Sequence, residues 1–297
     1  PMKGELLWVY EGLTNYSGWL LASRSGLRST AQGLEDLAHD AAYLEARRGR
    51  DWRPLVDTGV EAQSLYDARG QWANARRSVD FYDEGTLIWL DADVTIRRLT
   101  KGTKSLDDFC HAFHGGKGGP ELKPYTFDDI VRTLNGVVAY DWATFLHTRV
   151  DQVQPHAPIG GITDGGYRLA WTDQRSSLQK ARESADKLID ELFSLGLNLS
   201  DDGTVRDLVP GSPADKAGLA PDMKVIAVNG RRFEKDRFRD AIRATREHPG
   251  LELLCENGDT FHLYTLQYSG GLRYPSLERT PGTADLLTPL LAPHATR

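Results

Sequence analysis

The chain has 297 residues, with 36 Lys and Arg against 42 Asp and Glu, a formal net charge of −6 and 26% charged residues. This length allows two domains that each bury a core, and the balanced charge gives no broad basic field, so we expect no nucleic-acid partner. The apolar runs fall well short of the roughly 20 residues needed to cross a bilayer, so we expect no membrane span.

The two cysteines and the first residues add little about the compartment. Cys110 and Cys255 are far apart and have no C-x-x-C spacing, which indicates core residues and excludes a thiolate zinc site. The first residues lack the features of a signal peptide. We expect a soluble protein, cytoplasmic or periplasmic, and a chain that begins inside a domain.

Residues 1–154 have the pattern of an α-helical domain. Ser29 or Thr30 caps a stripe of apolar residues at i, i+3, i+4 spacing that ends near Gly49. Thr58-x-x-Glu61 has the pattern of a capping box, and Ser105-x-x-Asp108 and Thr126-x-x-Asp129 place acids in first turns, so three more helices are predicted from these starts. A longer apolar-periodic segment is predicted over residues 77–99.

The rest of the chain changes character twice. Residues 155–193 predict a short β excursion around 167–171, followed by a linker helix over 176–192. Residues 194–268 predict short strands joined by turns such as Asn229-Gly230, with one helix near 235–246. Residues 269–297 form a Pro-rich C-terminal tail.

Two blocks in the β-rich region, GSPADKAGL at 211–219 and MKVIAVNG at 223–230, resemble the motifs of bacterial PDZ domains. The resemblance implies that a peptide or a protein C-terminus adds to the sheet as a strand. The terminal carboxylate would meet the amides of Leu195, Gly196 and Leu197, and the helix wall would present Phe238 and Ile242. The alternative is that these apolar residues are only core.

The block LWVYEGLTNY at 7–16 places a carboxylate, Glu11, on a helix face that otherwise has a buried pattern. A buried charge must be paired, hydrogen-bonded or metal-bound. Together with RSVDFYDEG at 77–85, this block resembles the glycyl aminopeptidase family of zinc peptidases, whose members carry a PDZ domain near the C-terminus.

The resemblance implies that Glu11 is the third zinc ligand and that Tyr82 donates a hydrogen bond to the developing oxyanion. Asp80 and Tyr16 are weaker candidates, expected to support or pack, and Asp83 and Glu84 are expected to face solvent. Without the resemblance, Glu11 reads as a helix-start carboxylate bound by nearby amides, and Tyr82 as a core tyrosine.

The eight histidines include no H-E-x-x-H. A catalytic zinc of this kind takes two imidazoles and one carboxylate, and the motif's own glutamate acts as general base. The pair His111 and His114 lacks a third ligand and is more often packing. We therefore expect zinc in an intact enzyme, none in this chain, and no activity from the chain alone.

The sequence thus predicts an α+β multidomain protein: the all-α C-terminal half of a thermolysin-like catalytic domain, followed by a PDZ β-sandwich or barrel. The predicted function is that of a C-terminal fragment of a zinc aminopeptidase that releases small N-terminal residues, Gly or Ala, from peptide substrates. The alternative is a non-enzymatic PDZ adaptor or peptide-binding protein, in which Glu11 and Tyr82 can be replaced without loss of hydrolysis.

Overall fold

The computed structural model describes residues 3–66, 70–115 and 122–294, which form a helical region, a β module and a returning tail. The helices of the first region are α1 (Leu7–Arg24), α2 (Thr30–Ala46), α3 (Leu55–Val60), α4 (Ala62–Tyr66), α5 (Ala73–Arg76), α6 (Asp83–Leu99), α7 (Leu106–His114), α8 (Phe127–Val137), α9 (Trp142–Val150) and α10 (Gly160–Asp164), with a 3-10 turn at Arg48–Asp51. The remaining helices are α11 (Ser177–Asp186), α12 (Pro213–Lys216), α13 (Lys235–Ala244) and α14 (Leu287–Leu291). The strands are β1 (Tyr167–Thr172), β2 (Leu188–Glu191), β3 (Leu197–Ser200), β4 (Val205–Leu208), β5 (Lys224–Val228), β6 (Arg231–Arg232), β7 (Leu251–Asn257), β8 (Thr260–Leu266) and β9 (Tyr274–Arg279).

Side-chain caps start the amphipathic helices where the sequence predicts them. Ser29, Ser105 and Thr126 each accept a first-turn amide, and in each case the residue three positions later returns a bond to the cap. These reciprocal bonds satisfy amides that have no partner within the helix. The predicted helix starts at 29, 105 and 126 are therefore confirmed. The start predicted at Thr58 is wrong, because Thr58 lies inside α3 and its hydroxyl donates to the carbonyl of Leu55.

The β module, residues 188–266, folds around one buried cluster of apolar side chains. Its strands form two antiparallel sheets, β2-β3-β4 and β6-β5-β7-β8. Asn229 and Gly230, with φ of 46° and 72°, make the predicted two-residue turn between β5 and β6. Ser212 caps α12, which has Pro213 at its start.

The tail returns to the helical region instead of ending with the β module. Strand β9 pairs with β1 in antiparallel register, from Tyr167 opposite Arg279 to Thr172 opposite Tyr274. Helix α14 then buries Leu287, Leu290 and Leu291 in the core of the helical region. The mixed α and β architecture with small antiparallel sheets confirms the α+β prediction.

Two helix predictions are wrong at one boundary. The segment predicted over 77–99 is helical only from Asp83, because Arg77 has a left-handed backbone with φ of 56° and the chain turns there. The helix predicted over 176–192 ends at Asp186, where Lys187 also takes a left-handed conformation with φ of 50°. Leu188–Glu191 then forms strand β2. Across the described parts of the chain, no helix combines the length and apolar character that a bilayer crossing requires.

Candidate active site

Helices α1 and α6 cross with their backbones almost in contact, and this crossing brings Glu11 and Tyr82 together. A Cβ atom on Gly12 would lie 2.6 Å from the Cα of Gly85, and one on Gly85 would lie 2.7 Å from the Cα of Gly12. Only glycine allows so close an approach. Glu11 directly precedes Gly12, and Tyr82 lies three residues before Gly85, so the crossing fixes the distance between these two side chains.

Tyr82 and Tyr66 form a hydrogen-bonded pair beside the Glu11 carboxylate. The hydroxyls of Tyr66 and Tyr82 are 2.6 Å apart, and the Glu11 carboxylate lies close enough for its charge to act on the Tyr82 hydroxyl. The Tyr66 hydrogen bond, burial and the Glu11 charge together raise the pKa of Tyr82 far above that of a free phenol. The Tyr82 hydroxyl therefore keeps its proton, as a hydrogen-bond donor to an oxyanion must.

Tyr66 was missed by the sequence interpretation. It lies in the short helix α4, 16 residues before Tyr82, and its side chain is largely exposed. An exposed tyrosine outside both motifs gives no sequence signal for this contact, because the contact depends on how α4 docks beside α6.

A buried ion-pair cluster holds the turn that leads into Tyr82. Asp80 accepts bonds from Arg77 Nε at 2.9 Å and from Arg47, while Glu84 accepts from Arg50 Nη2 at 2.6 Å and from Arg77. Burial opposes the charge on Asp80, but Arg47 and Arg77 hold its pKa below the usual range. The prediction that Glu84 faces solvent is wrong, since only 2% of the residue is exposed and its charge is neutralised inside the protein.

The structure also places Tyr16, a weaker candidate of the sequence analysis, and Asp83, which was expected to face solvent. Tyr16 is buried and donates a 2.6 Å bond to Asp93, so it packs α1 against α6. The expectation that Asp83 faces solvent is not met: Asp83 is half-buried, and burial with the nearby Asp40 charge raises its pKa to about 6. Within the described residues, neither Tyr16 nor Asp83 hydrogen-bonds to Glu11 or Tyr82.

The described residues do not make a catalytic zinc site by themselves. They contain no group of three or more His, Cys, Asp and Glu side chains placed to hold a metal ion. Glu11 is a suitable oxygen ligand, but such a zinc takes three protein ligands and leaves one position for water. His111 and His114 are exposed near the end of α7 and complete no such group.

The five residues predicted for peptide binding also converge. Leu195, Leu197, Phe238 and Ile242 belong to one buried cluster, and Gly196 has φ of 75° in the loop before β3. However, the free edge of β3 that an added peptide would need is absent: β3 pairs with β2 on one side and with β4 on the other.

Comparison with known proteins supports the peptidase resemblance. Residues 1–88 match the family model of the M61 glycyl aminopeptidases, the region that contains Glu11 and Tyr82. An aminopeptidase N family protein from Idiomarina loihiensis is similar in structure, with a TM-score of 0.68 and 19% identity over 98% of this chain. This chain spans 49% of that protein's length. The resemblance predicted from the two motifs is thus confirmed, and the structural neighbour shows the shared fold.

Two further comparisons give no additional assignment. The HtrA3 PDZ domain bound to a phage-derived ligand aligns over 39% of this chain and 96% of its own length, with 14% identity and a TM-score of 0.19. A TM-score this low gives no argument about the β module. A search of curated protein sequences finds no match to the chain.

Proposed function

We propose that this chain is the C-terminal part of a zinc-dependent aminopeptidase that releases small N-terminal residues from peptides. The observation that supports the proposal best is the hydrogen-bonded pair of Tyr82 and Tyr66 beside the Glu11 carboxylate, set at the α1–α6 crossing within the region that matches the glycyl aminopeptidases.

In this proposal the chain contributes two groups and lacks the rest. Glu11 supplies one carboxylate ligand, and the two imidazoles come from an H-E-x-x-H helix outside the 297 residues. Zinc bound there would supply a Lewis acid and lower the pKa of water. The structural neighbour, about twice as long as this chain, has room for such a segment.

The role of Tyr82 follows from its proton. Its hydroxyl donates to the oxygen that becomes negative when the peptide carbonyl is attacked, and the hydrogen bond with the Tyr66 hydroxyl positions it. The raised pKa of Tyr82 keeps this donor protonated through the alkaline range. Selection of Gly or Ala is an expectation from the family resemblance alone.

The proposal is tested first by reading the coding region upstream of Pro1 for an H-E-x-x-H helix and by assaying the longer protein on glycyl and alanyl amides. Tyr82→Phe should lower kcat by about 10²–10³ with zinc content unchanged, because one oxyanion donor is lost. Glu11→Ala should lose both zinc and activity. Tyr140→Phe, in the turn between α8 and α9, is the matched control and should keep both.

Two outcomes would reject the proposal. One is an upstream region without the motif. The other is a longer protein that hydrolyses these amides equally well after Glu11→Ala and Tyr82→Phe, which is what the adaptor alternative predicts. Capture of a protein C-terminus by the β module is left out of the proposed function, because β2 already pairs with the edge of β3.

A further inference from the structure

Strand β2 occupies the place of a peptide ligand in the β module. It pairs antiparallel with β3, from Leu188 opposite Ser200 to Glu191 opposite Leu197. An extended peptide that adds to a sheet edge uses this same pairing, with backbone hydrogen bonds for affinity and pockets for alternate side chains. The segment that occupies the edge belongs to the chain itself.

The last residue of β2 also binds the backbone amides of the loop before β3. The backbone carbonyl of Glu191 accepts bonds from the amides of Ser194, Leu195 and Gly196 at 3.2, 2.9 and 3.2 Å. A peptide's terminal carboxylate would need these amides as donors. In the folded chain, their hydrogen-bonding capacity is already used by one carbonyl oxygen.

The inward side chains of β2 are anchored as a ligand's would be. Ile189 is fully buried in the cluster that contains Phe238 and Ile242 of α13. Two residues later, the Glu191 carboxylate accepts from Arg239 Nε of α13 at 2.9 Å and from Tyr274 Oη at 2.8 Å. Helix α13 therefore contacts an apolar side chain of β2 and, two positions later in β2, an acidic side chain.

Contacts on the outer side hold β2 in place. Glu183 of α11 accepts from the amide of Asp190 at 3.3 Å and from Arg239 Nη2 at 2.9 Å, so Arg239 links both glutamates. Asp190 also lies 3.4 Å from His39 of α2, in the helical region. A peptide that displaced β2 would have to break these contacts as well.

We infer that β2 is a built-in ligand of the groove between β3 and α13, and that the groove takes an external peptide only when β2 is displaced. The external ligand that fits is an extended peptide with a C-terminal acidic residue and an apolar side chain two positions before it. Arg239 recognises the acidic side chain, and the amides of Ser194, Leu195 and Gly196 bind the terminal carboxylate.

The test uses the full chain and a fluorescein-labelled peptide, Lys-Leu-Ile-Asp-Glu, with a free carboxylate, which copies the sequence of 187–191. Ile189→Gly weakens β2 and leaves the groove residues intact, so it should bind the probe at least tenfold more tightly than the wild-type chain. Because the affinity of a closed site falls with the fraction that is open, the wild type should not saturate at millimolar probe. A probe that ends in Lys in place of Glu should bind Ile189→Gly no more tightly than it binds the wild-type chain.

Leu253→Ala provides the matched control, since Leu253 is equally buried in the same core but lies on β7. It should lower the melting temperature without creating binding. Three results overturn the inference: wild-type binding as tight as that of Ile189→Gly, a folded Ile189→Gly that binds no probe, or equal binding by Leu253→Ala.

A second measurement decides the matter if Ile189→Gly fails to fold. In the wild-type chain, hydrogen exchange of the Leu195 and Gly196 amides should be strongly protected, because both donate to the Glu191 carbonyl. Exchange at the rate of exposed loop amides would overturn the inference without any variant.

Discussion

The close crossing of α1 and α6 gives the sharpest prediction about the candidate site. Gly12→Ala places a methyl group 2.6 Å from the Cα and 2.8 Å from the carbonyl carbon of Gly85. Ordinary contact begins near 3.4 Å, so the two helices must separate by roughly 0.8 Å or distort. The Cα and the carbonyl carbon of Gly85 are backbone atoms of α6, and a change of side-chain rotamer cannot relieve the overlap.

The expected cost follows from two opposing effects. Overpacking of a well-packed core costs about 1–3 kcal/mol, and rigid backbone neighbours place this site at the upper end. Alanine in place of glycine in a helix interior contributes about 1 kcal/mol of stability. We therefore expect Gly12→Ala to lower the free energy of unfolding by about 2 kcal/mol, the difference between these terms.

Gly18→Ala is the control on the same helix. Gly18 is exposed, and its added Cβ would meet no atom within 4 Å, so only the helix-propensity gain of about 1 kcal/mol remains. Six of the seven tryptophans lie between residues 8 and 142, so urea unfolding followed by tryptophan fluorescence reports mainly on the helical region. If Gly12→Ala is as stable as Gly18→Ala, then the backbones do not approach as described, and the fixed spacing of Glu11 and Tyr82 loses its basis.

Two further predictions concern buried charges. Burial disfavours protonated His39, but hydrogen bonds with Asp190 and Asp40 raise its pKa to about 9 from 6.5; the resulting stabilisation, at most about 3 kcal/mol, should be complete below pH 6.5 and lost as the pH rises through 9. Urea unfolding across this range should show that slope in the wild type and a shallower one in His39→Gln, and equal slopes would contradict the assignment. Glu84→Ala leaves buried Arg50 without its charge partner and should cost about 3–5 kcal/mol in the same assay. Arg132→Ala breaks an exposed ion pair and should leave the unfolding midpoint almost unchanged; similar losses for the two variants would show that the Glu84 cluster is not held as described.

Local signals predicted those parts of the fold in which neighbouring residues determine the structure. The caps at Ser29, Ser105 and Thr126 and the turn at Asn229-Gly230 depend on contacts within a few residues, and the sequence contains all of them. The end of α11 was not predictable in this way. Lys187 carries no sequence mark of a left-handed conformation, and the apolar spacing over 176–192 suits a helix as well as it suits a helix followed by β2.

The candidate site divides along the same line. Glu11 and Tyr82 were predicted as site residues because each belongs to a recognisable motif, and the Gly12 and Gly85 positions that bring them together lie in those same motifs. The role of Tyr66 and the burial of Glu84 were not predicted from the sequence. Both depend on the docking of separate segments: α4 lies beside Tyr82, and Arg50 lies against the first turn of α6.

The contrast between residues inside the motifs and residues brought in by docking also determines which substitutions test function. Tyr66→Phe removes a hydroxyl that lies outside both motifs, yet it takes away the first cause of the raised pKa of Tyr82. Glu84→Ala lies inside a motif, yet its expected effect is on stability, since the Glu84 carboxylate contacts Arg50 and Arg77 and not Tyr82. Contact with the Tyr82 hydroxyl therefore distinguishes residues that affect activity from residues that affect stability better than membership in a motif does.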